Sequence, residues 1–124
     1  MSVYVDTSAL LAVLDASDKF HDAASLTWEK LVGEDEALVT NSFVLVEVHA
    51  LVQSRLGLEA VRTFFRDIYP ILSIEWVDEE FYNKSIATLL ASNRRNLSLV
   101  DCSSFTTMID LGIQEVFAFD PHFA

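Results

Sequence analysis

Short apolar runs alternate along the chain with longer segments in which apolar residues recur every three or four positions. Runs of the first kind predict buried strands, and segments of the second kind predict amphipathic helices. The predicted strands are residues 3–6, 37–40, 71–77 and 116–119. The predicted helices are residues 9–14, about 21–31, 42–56, 58–68, 79–90 and 100–111. This alternation indicates an α/β fold with a parallel sheet covered on both faces.

The ends of these elements carry recognisable signals. Thr7 or Ser8 is predicted to cap the first helix, and Asn41 or Ser42 the third. Gly57 and Gly112 are predicted to end the helices before them. Within 58–68, four apolar residues are in helical register and are expected on one buried face: Val61, Phe64, Phe65 and Ile68.

Four carboxylates stand where the apolar pattern predicts burial. They are Asp6, Glu47, Asp101 and Asp120. Three of them follow strand-like runs, and Glu47 interrupts the apolar helix of residues 43–52. A carboxylate against a core is costly unless its charge is compensated. Four such acids in one short chain favour a shared divalent cation bound by oxygen ligands.

Each acid, taken singly, also has an ordinary structural interpretation. Asp6 and Asp101 are suitable helix caps, and Asp120 is suited to open the turn at Pro121. The same-face neighbours of Glu47 are apolar, so its tip either reaches water or meets a ligand. Together, the acids favour a site beyond the carboxyl ends of the parallel strands, where α/β sheets bind ligands.

Three or four carboxylates around Mg²⁺ or Mn²⁺ leave positions for water and for a phosphate oxygen, which predicts phosphodiester hydrolysis. Four hydroxyls next to the acids are candidates to hold a site water or a carboxylate, with helix capping as the alternative. They are Thr7, Ser8, Ser103 and Ser104. Arg55, Arg94 and Arg95 are the candidates for contacting phosphates.

Other polar residues are expected to have ordinary roles. Arg62 and Arg66 are expected to form surface ion pairs with nearby acids. The three histidines lack metal-binding spacing and are expected at the surface or in packing roles: His21, His49 and His122. Cys102, the single cysteine, is expected in the core.

Composition narrows the class of protein. A chain of 124 residues with 52% apolar residues predicts a single domain over residues 1–124. The formal charge of −11 argues against a passive nucleic-acid binder and favours a basic protein partner, but is compatible with a metal-dependent nuclease. The sequence has no signal-peptide pattern, no apolar run long enough to span a membrane, and one cysteine, which together predict a cytoplasmic protein.

Four segments resemble the PIN-domain ribonucleases, particularly the toxins of VapBC-type toxin–antitoxin pairs. They are residues 5–10, 46–48, 97–105 and 116–123, in the order and at the spacing usual for that family. The resemblance implies a three-layer sandwich whose central parallel sheet has four or five strands flanked by helices. It also implies that the four acids named above hold Mg²⁺ or Mn²⁺, with Thr7 or Ser8 in support. Cleavage of RNA, homodimerisation and inhibition by a basic antitoxin are implied as well.

The chain departs from the family pattern in two ways. Many relatives continue after the position of Phe123 into a further short strand, so edge pairing or dimer contacts are expected to differ. The basic content is also low for an enzyme that acts on RNA. The alternative function is therefore a catalytically weak PIN-like domain that binds proteins. An aspartyl phosphotransferase using Asp6 is a more distant alternative, because such enzymes need a second Asp where this chain has Ser8.

Overall fold

A computed structural model describes residues 1–123 of the chain. In this part of the chain four strands form one parallel sheet in the order β3-β2-β1-β4. The strands are β1 (Ser2–Val5), β2 (Ala37–Asn41), β3 (Leu72–Glu75) and β4 (Glu115–Phe117). Tyr4 in the centre of β1 pairs with Val39 on one side and with Val116 on the other. The first and last strands of the sequence are therefore neighbours, with β1 inside the sheet and β4 at its edge.

Helices cover both faces of this sheet, as the alternating pattern predicts. Within residues 1–123 they are α1 (Thr7–Leu14), α2 (His21–Gly33), α3 (Ser42–Leu56), α4 (Leu58–Thr63), α5 (Glu79–Ser92) and α6 (Leu99–Leu111). Val3 and Val5 point into the larger core, which includes buried residues of α1 and α3. Tyr4 points to the opposite face, where it packs with Ile113 and Met108 near the end of α6. The three-layer α/β sandwich implied by the resemblance is confirmed.

The predicted helix ends at Asn41, Gly57 and Gly112 are confirmed, whereas the predicted cap of α1 at Thr7 or Ser8 is wrong, because Asp6 caps that helix. Asn41 caps α3 by accepting a hydrogen bond from the backbone N of Val44 at 2.9 Å. Gly57 and Gly112 end α3 and α6 with φ angles of 90° and 66°. Positive φ is the backbone region in which glycine carries no side-chain penalty, so these two positions suit a helix stop.

The helix predicted over residues 58–68 is interrupted. The α-helix ends at Thr63, a π-helical turn continues over Phe64–Ile68, and a 3₁₀ turn follows over Tyr69–Ile71. A π turn closes its hydrogen bonds one residue later than an α turn, which rotates the following side chains out of the apolar stripe. Phe64 and Ile68 are buried, but Phe65 is 63% exposed, so its predicted place in the core is wrong.

Two strands are shorter or shifted relative to the prediction. β3 ends at Glu75, and Trp76 is 67% exposed beyond it. The backbone N of Val77 instead donates a hydrogen bond to Ser42 Oγ at 2.8 Å. β4 runs Glu115–Phe117, and the next residues turn toward α1. Among the helices of residues 1–123, none combines the length and apolar character needed to cross a membrane.

Candidate metal site

Asp6 lies directly after β1 and caps the N-terminus of α1. Its Oδ2 accepts hydrogen bonds from the backbone N of Ser8 at 3.2 Å and from Ser8 Oγ at 2.9 Å. The residue is only 3% exposed. Burial raises the pKa of the Asp6 carboxyl, the hydrogen bonds from Ser8 lower it, and the negative charge of Asp101 raises it further. The last effect means that the two carboxyls are close enough to repel each other.

Asp101 is held in the first turn of α6 by a capping box. Its backbone N donates to Ser98 Oγ at 3.0 Å, and its Oδ2 accepts from the backbone N of Ser98 at 3.1 Å. The helix-start alternative for this acid is therefore confirmed, whereas the apolar run before it is no strand, because α6 already begins at Leu99. Within residues 1–123 the hydrogen bonds to this carboxylate use Oδ2, which leaves Oδ1 for another ligand.

Asp120 and His122 complete the cluster from the segment after β4. Asp120 Oδ1 accepts from the backbone N of His122 at 2.8 Å and from His122 Nδ1 at 2.9 Å. The same Nδ1 lies 3.7 Å from Asp101 Oδ2. One potential ligand atom from each of Asp101, Asp120 and His122 lies within 4.8 Å of the others. The imidazole thus lies close to two carboxylates, one from α6 and one from the segment after β4.

His122 is the site residue that the sequence analysis missed. Packing roles are confirmed for His21 and His49, whose Nδ1 atoms lie 2.7 Å from the carbonyl oxygens of Ala12 and Leu45. His122 was given the same kind of role. Its position two residues after Asp120 could have indicated the contact, since an aspartate in a turn often accepts a hydrogen bond from the residue at that spacing.

Ser8 joins the two ends of the chain at this site. Its Oγ donates to Asp6 and accepts from the backbone N of Phe119 at 2.9 Å. This bond fixes the segment that carries Asp120 and His122 against the start of α1. Thr7 is also buried, and within the described part of the chain its Oγ1 has no hydrogen-bond partner.

The other two hydroxyls proposed for the site face the sheet. Ser104 Oγ accepts from Tyr4 Oη at 2.8 Å. Ser103 Oγ accepts from Asn41 Nδ2 at 3.1 Å and donates to the carbonyl oxygen of Val100 at 2.6 Å. Both serines are fully buried, so their recorded contacts hold α6 onto β1 and β2 and involve none of the acids.

Glu47 lies on α3, which packs against both α1 and α6. Its side chain is half-buried, between the half-buried Phe43 and the exposed Ala50. Neither Glu47 nor Asp6 belongs to the group of ligand atoms within 4.8 Å of one another. The helices that Asp6 and Ser98 cap are nevertheless among those against which the helix of Glu47 packs.

The candidate phosphate-binding arginines are exposed but differ in position. Arg94 and Arg95 lie in the loop that leads into α6, shortly before the capping box. Arg55 lies near the end of α3, and its charge contributes to lowering the pKa of Asp15 at the end of α1. The eight residues of α1 place that end about 12 Å from Asp6. The predicted surface ion pairs are confirmed, Arg62 with Glu59 and Arg66 with Asp67.

The residues present fit a divalent cation. Two carboxylates and one imidazole converge, and a third carboxylate, that of Asp6, repels Asp101 nearby. Carboxylate oxygens suit Mg²⁺ and Mn²⁺, and Mn²⁺ also accepts imidazole nitrogen. The buried Thr7 hydroxyl without a protein partner fits a site completed by a ligand or water, since buried hydroxyls are normally hydrogen-bonded.

The comparisons with known proteins agree on one family. Residues 3–124 match the family model described as PIN domain. The chain is 29% identical over 123 residues to the 23S rRNA-specific endonuclease VapC20 of Mycobacterium tuberculosis, covering 98% of this chain and 92% of that protein. It is 38% identical over 64 residues to Ribonuclease VapC26 of the same organism, covering 52% of this chain and 45% of that protein.

A solved structure agrees with these sequence relatives. The crystal structure of Mycobacterium tuberculosis VapC20, described as a sarcin-ricin loop cleaving toxin, matches with a TM-score of 0.83 and 30% sequence identity. The match covers 98% of this chain and 92% of that one. Because the family model spans almost the whole sequence and the fold agrees, this chain belongs to the PIN-domain family.

Proposed function

We propose that this protein is a Mg²⁺- or Mn²⁺-dependent endoribonuclease, the toxin component of a VapBC-type toxin–antitoxin pair. The observation that carries the proposal is the convergence of Asp101, Asp120 and His122 beside the buried Asp6. The names of the relatives, an rRNA-specific endonuclease and a ribonuclease, support RNA as the substrate.

The four acids predicted from the sequence, together with His122, would hold the ion. A bound divalent cation lowers the pKa of a water molecule and offsets charge on the phosphate during hydrolysis. Around it, one carboxylate orients the attacking water or accepts its proton. Asp6 suits this role because its carboxylate is buried directly after β1 and its Oδ1 receives neither of the hydrogen bonds from Ser8. Ser8 keeps Asp6 in place, and Thr7 offers a free buried hydroxyl beside it.

The charge distribution supports a local contact with RNA. Four of the basic side chains make no ion pair with a carboxylate within residues 1–123: Lys19, Arg55, Arg94 and Arg95. Arg94 and Arg95 precede the helix of Asp101 and suit contact with phosphates next to the site. Arg55 suits contact with a more distant part of the RNA.

The proposal also includes a protein partner, an oligomeric state and a cellular compartment. The net charge of −11 favours a basic antitoxin, which would also neutralise the acidic surface. We propose a homodimer of single nuclease domains, each spanning residues 1–124, acting in the cytoplasm. The family match over residues 3–124 supports one domain.

The proposal is tested by incubating purified protein with a mixed cellular RNA pool, with Mn²⁺ or with EDTA, beside Asp6→Asn. Metal-dependent fragments from the wild type that are absent with the variant are expected, and their ends identify the target. If no RNA is cleaved while Mn²⁺ still raises the melting temperature, the proposal fails and the protein-binding alternative is favoured.

A further inference from the structure

We propose that Lys19 and Phe20, in the turn between α1 and α2, bind a nucleotide next to the cleaved phosphate, with Phe20 stacking on its base and Lys19 contacting its phosphate. This inference rests on the proposed ribonuclease function and adds to it a recognition element outside the acidic cluster. It assigns a role to two exposed residues that neither the fold nor the metal site requires.

The geometry begins with a stack of side chains. The ring of Phe20 lies parallel to that of Phe119, with centroids 4.6 Å apart and planes inclined by 8°. Lys19 Nζ lies 4.9 Å from the centroid of the Phe20 ring. Phe119 covers one face of the Phe20 ring, and Lys19 is the cation that lies over this ring. Phe20 remains 36% exposed, and an aromatic face held parallel to a second ring is a surface on which a base can stack.

This stack is directly connected to the metal site. Phe119 immediately precedes Asp120, and its backbone N donates to Ser8 Oγ, which in turn donates to Asp6. The Phe119 ring also packs edge-on against Phe117 at the end of β4, which fixes its orientation. Phe20 is therefore separated from Asp6 by one ring and two hydrogen bonds. A strand whose phosphate lies at the acids can place a flanking base on Phe20.

A lysine available to the same occupant lies beside the Phe20 ring. A polyanion approaching a protein with a net charge of −11 needs positions where cations are not already neutralised. Within residues 1–123, four ion pairs join a lysine or an arginine to a carboxylate, and they engage Lys30, Arg62, Arg66 and Lys84. Lys19 is outside these pairs and lies next to an aromatic platform, a combination typical of single-stranded nucleic-acid sites.

The first test measures RNA binding with an aromatic control. A fluorescein-labelled single-stranded RNA of mixed sequence is titrated with Asp6→Asn protein, which prevents cleavage, and fluorescence anisotropy reports the Kd. Phe20→Leu in that background keeps an apolar contact with Phe119 but removes the stacking face, and it is expected to weaken binding about 5- to 100-fold. Phe20→Trp should retain or improve binding.

Phe65→Leu is the matched control for this substitution. Phe65 is also an exposed phenylalanine stacked on a second aromatic ring, that of Tyr69 at 5.6 Å. It precedes β3 at the amino edge of the sheet, away from the acids. Its substitution is expected to leave the Kd within twofold. Equal Kd values for Phe20→Leu and Phe65→Leu would overturn the stacking role.

The second test measures the phosphate contact. Lys19→Met is expected to reduce the slope of log Kd against log salt by about 0.7, the value for one phosphate contact on a single strand. Lys30→Met is the control, because Lys30, on α2, already pairs with Glu34 just after that helix. An unchanged slope for Lys19→Met would overturn the role of Lys19.

Cleavage by otherwise wild-type protein separates this inference from the proposed function. If the wild type cleaves RNA and Phe20→Leu raises KM while changing kcat by less than twofold, the proposed function and this inference both stand. If cleavage occurs and both variants match their controls, the proposed function stands and this inference fails, leaving the Phe20 surface for a protein partner. If the wild type neither binds nor cleaves RNA, both are overturned.

Discussion

One carboxyl oxygen of Asp6 accepts both of its hydrogen bonds from Ser8. Both hydrogen bonds from Ser8 end on Oδ2, so one oxygen caps α1 and also orients the hydroxyl that holds Phe119. An asparagine side chain has one oxygen able to accept both bonds. Asp6→Asn therefore removes the negative charge of this residue and keeps its capping hydrogen bonds.

The stability of the metal-free protein should depend on pH through Asp6. Because burial raises its pKa, the folded chain holds the Asp6 proton more tightly than the unfolded chain does. This contribution to stability is fully present below the ordinary aspartate pKa of about 3.9 and is lost as pH rises through the folded-state pKa. In EDTA at pH 7, Asp6→Asn should melt above the wild type, and the difference should vanish toward pH 3.5.

Asp15 provides the matched control. Its Oδ1 accepts from the backbone N and Oγ of Ser17, which repeats the Asp6–Ser8 arrangement at the other end of α1. There the side chain is half-buried rather than buried, and the hydrogen bonds from Ser17 lower its pKa. Asp15→Asn should therefore not raise the melting temperature at pH 7. A similar rise for both variants, or none for Asp6→Asn, would contradict the burial argument.

Three elements meet at one buried amide. Asn41 ends β2, caps α3 through Oδ1, and donates from Nδ2 to Ser103 and Thr107 of α6 at 3.1 Å each. The helices that it joins carry Glu47 and Asp101. The distance between these two acids is thus set by a residue that touches neither of them.

Asn41→Ala should destabilise the fold more than the loss of an ordinary cap. Removing the cap costs about 1 kcal/mol, and leaving two buried hydroxyls without their donor adds about 1–3 kcal/mol. Urea unfolding measures the change. Asp78→Ala is the control, since Asp78 caps α5 at an exposed position and its loss should cost only about 1 kcal/mol. Equal losses for the two variants would mean that the contacts from Asn41 to α6 contribute little.

At the scale of the elements, some structural features can be predicted from local sequence signals and others cannot. Strand order along the chain, helix stops at Gly57 and Gly112, and Asp6 at a strand end all follow from local signals. The π turn at Phe64 does not, because the apolar repeat through residues 58–68 fits a continuous α-helix and no local residue marks the change of turn. The role of His122 depends on α6 and the segment after β4 meeting, a contact between residues remote in sequence. For the same reason Ser103 and Ser104 could not be assigned to the sheet side.

At the scale of the whole molecule, the site concentrates charge in a protein that is already strongly acidic. Without metal, Asp6 and Asp101 repel each other, and His122 lies between Asp101 and Asp120. A cation that binds the folded chain and not the unfolded chain stabilises the fold by mass action. Mn²⁺ or Mg²⁺ should therefore raise the melting temperature of the wild type.

Asp101→Asn tests whether the acids act as one site. In EDTA this variant should melt above the wild type, because one repelling charge is gone while the amide oxygen still completes the capping box. In millimolar Mn²⁺ it should gain less than the wild type. Glu29→Gln, at an exposed acid on α2, should respond to metal as the wild type does. Identical responses of Asp101→Asn and the wild type would contradict a shared site.

The pairing of β1 with β4 has a consequence for synthesis. The hydrogen bond from Phe119 to Ser8 joins residues 111 positions apart, and the central strand lacks one neighbour until Glu115–Phe117 arrive. Closing so long a stretch of chain is entropically costly and slow. A nascent chain therefore carries Asp6 and Asp101 but no complete cluster. Under the proposed function, cleavage of RNA requires that residues 115–122 have been synthesised and that β4 has paired with β1.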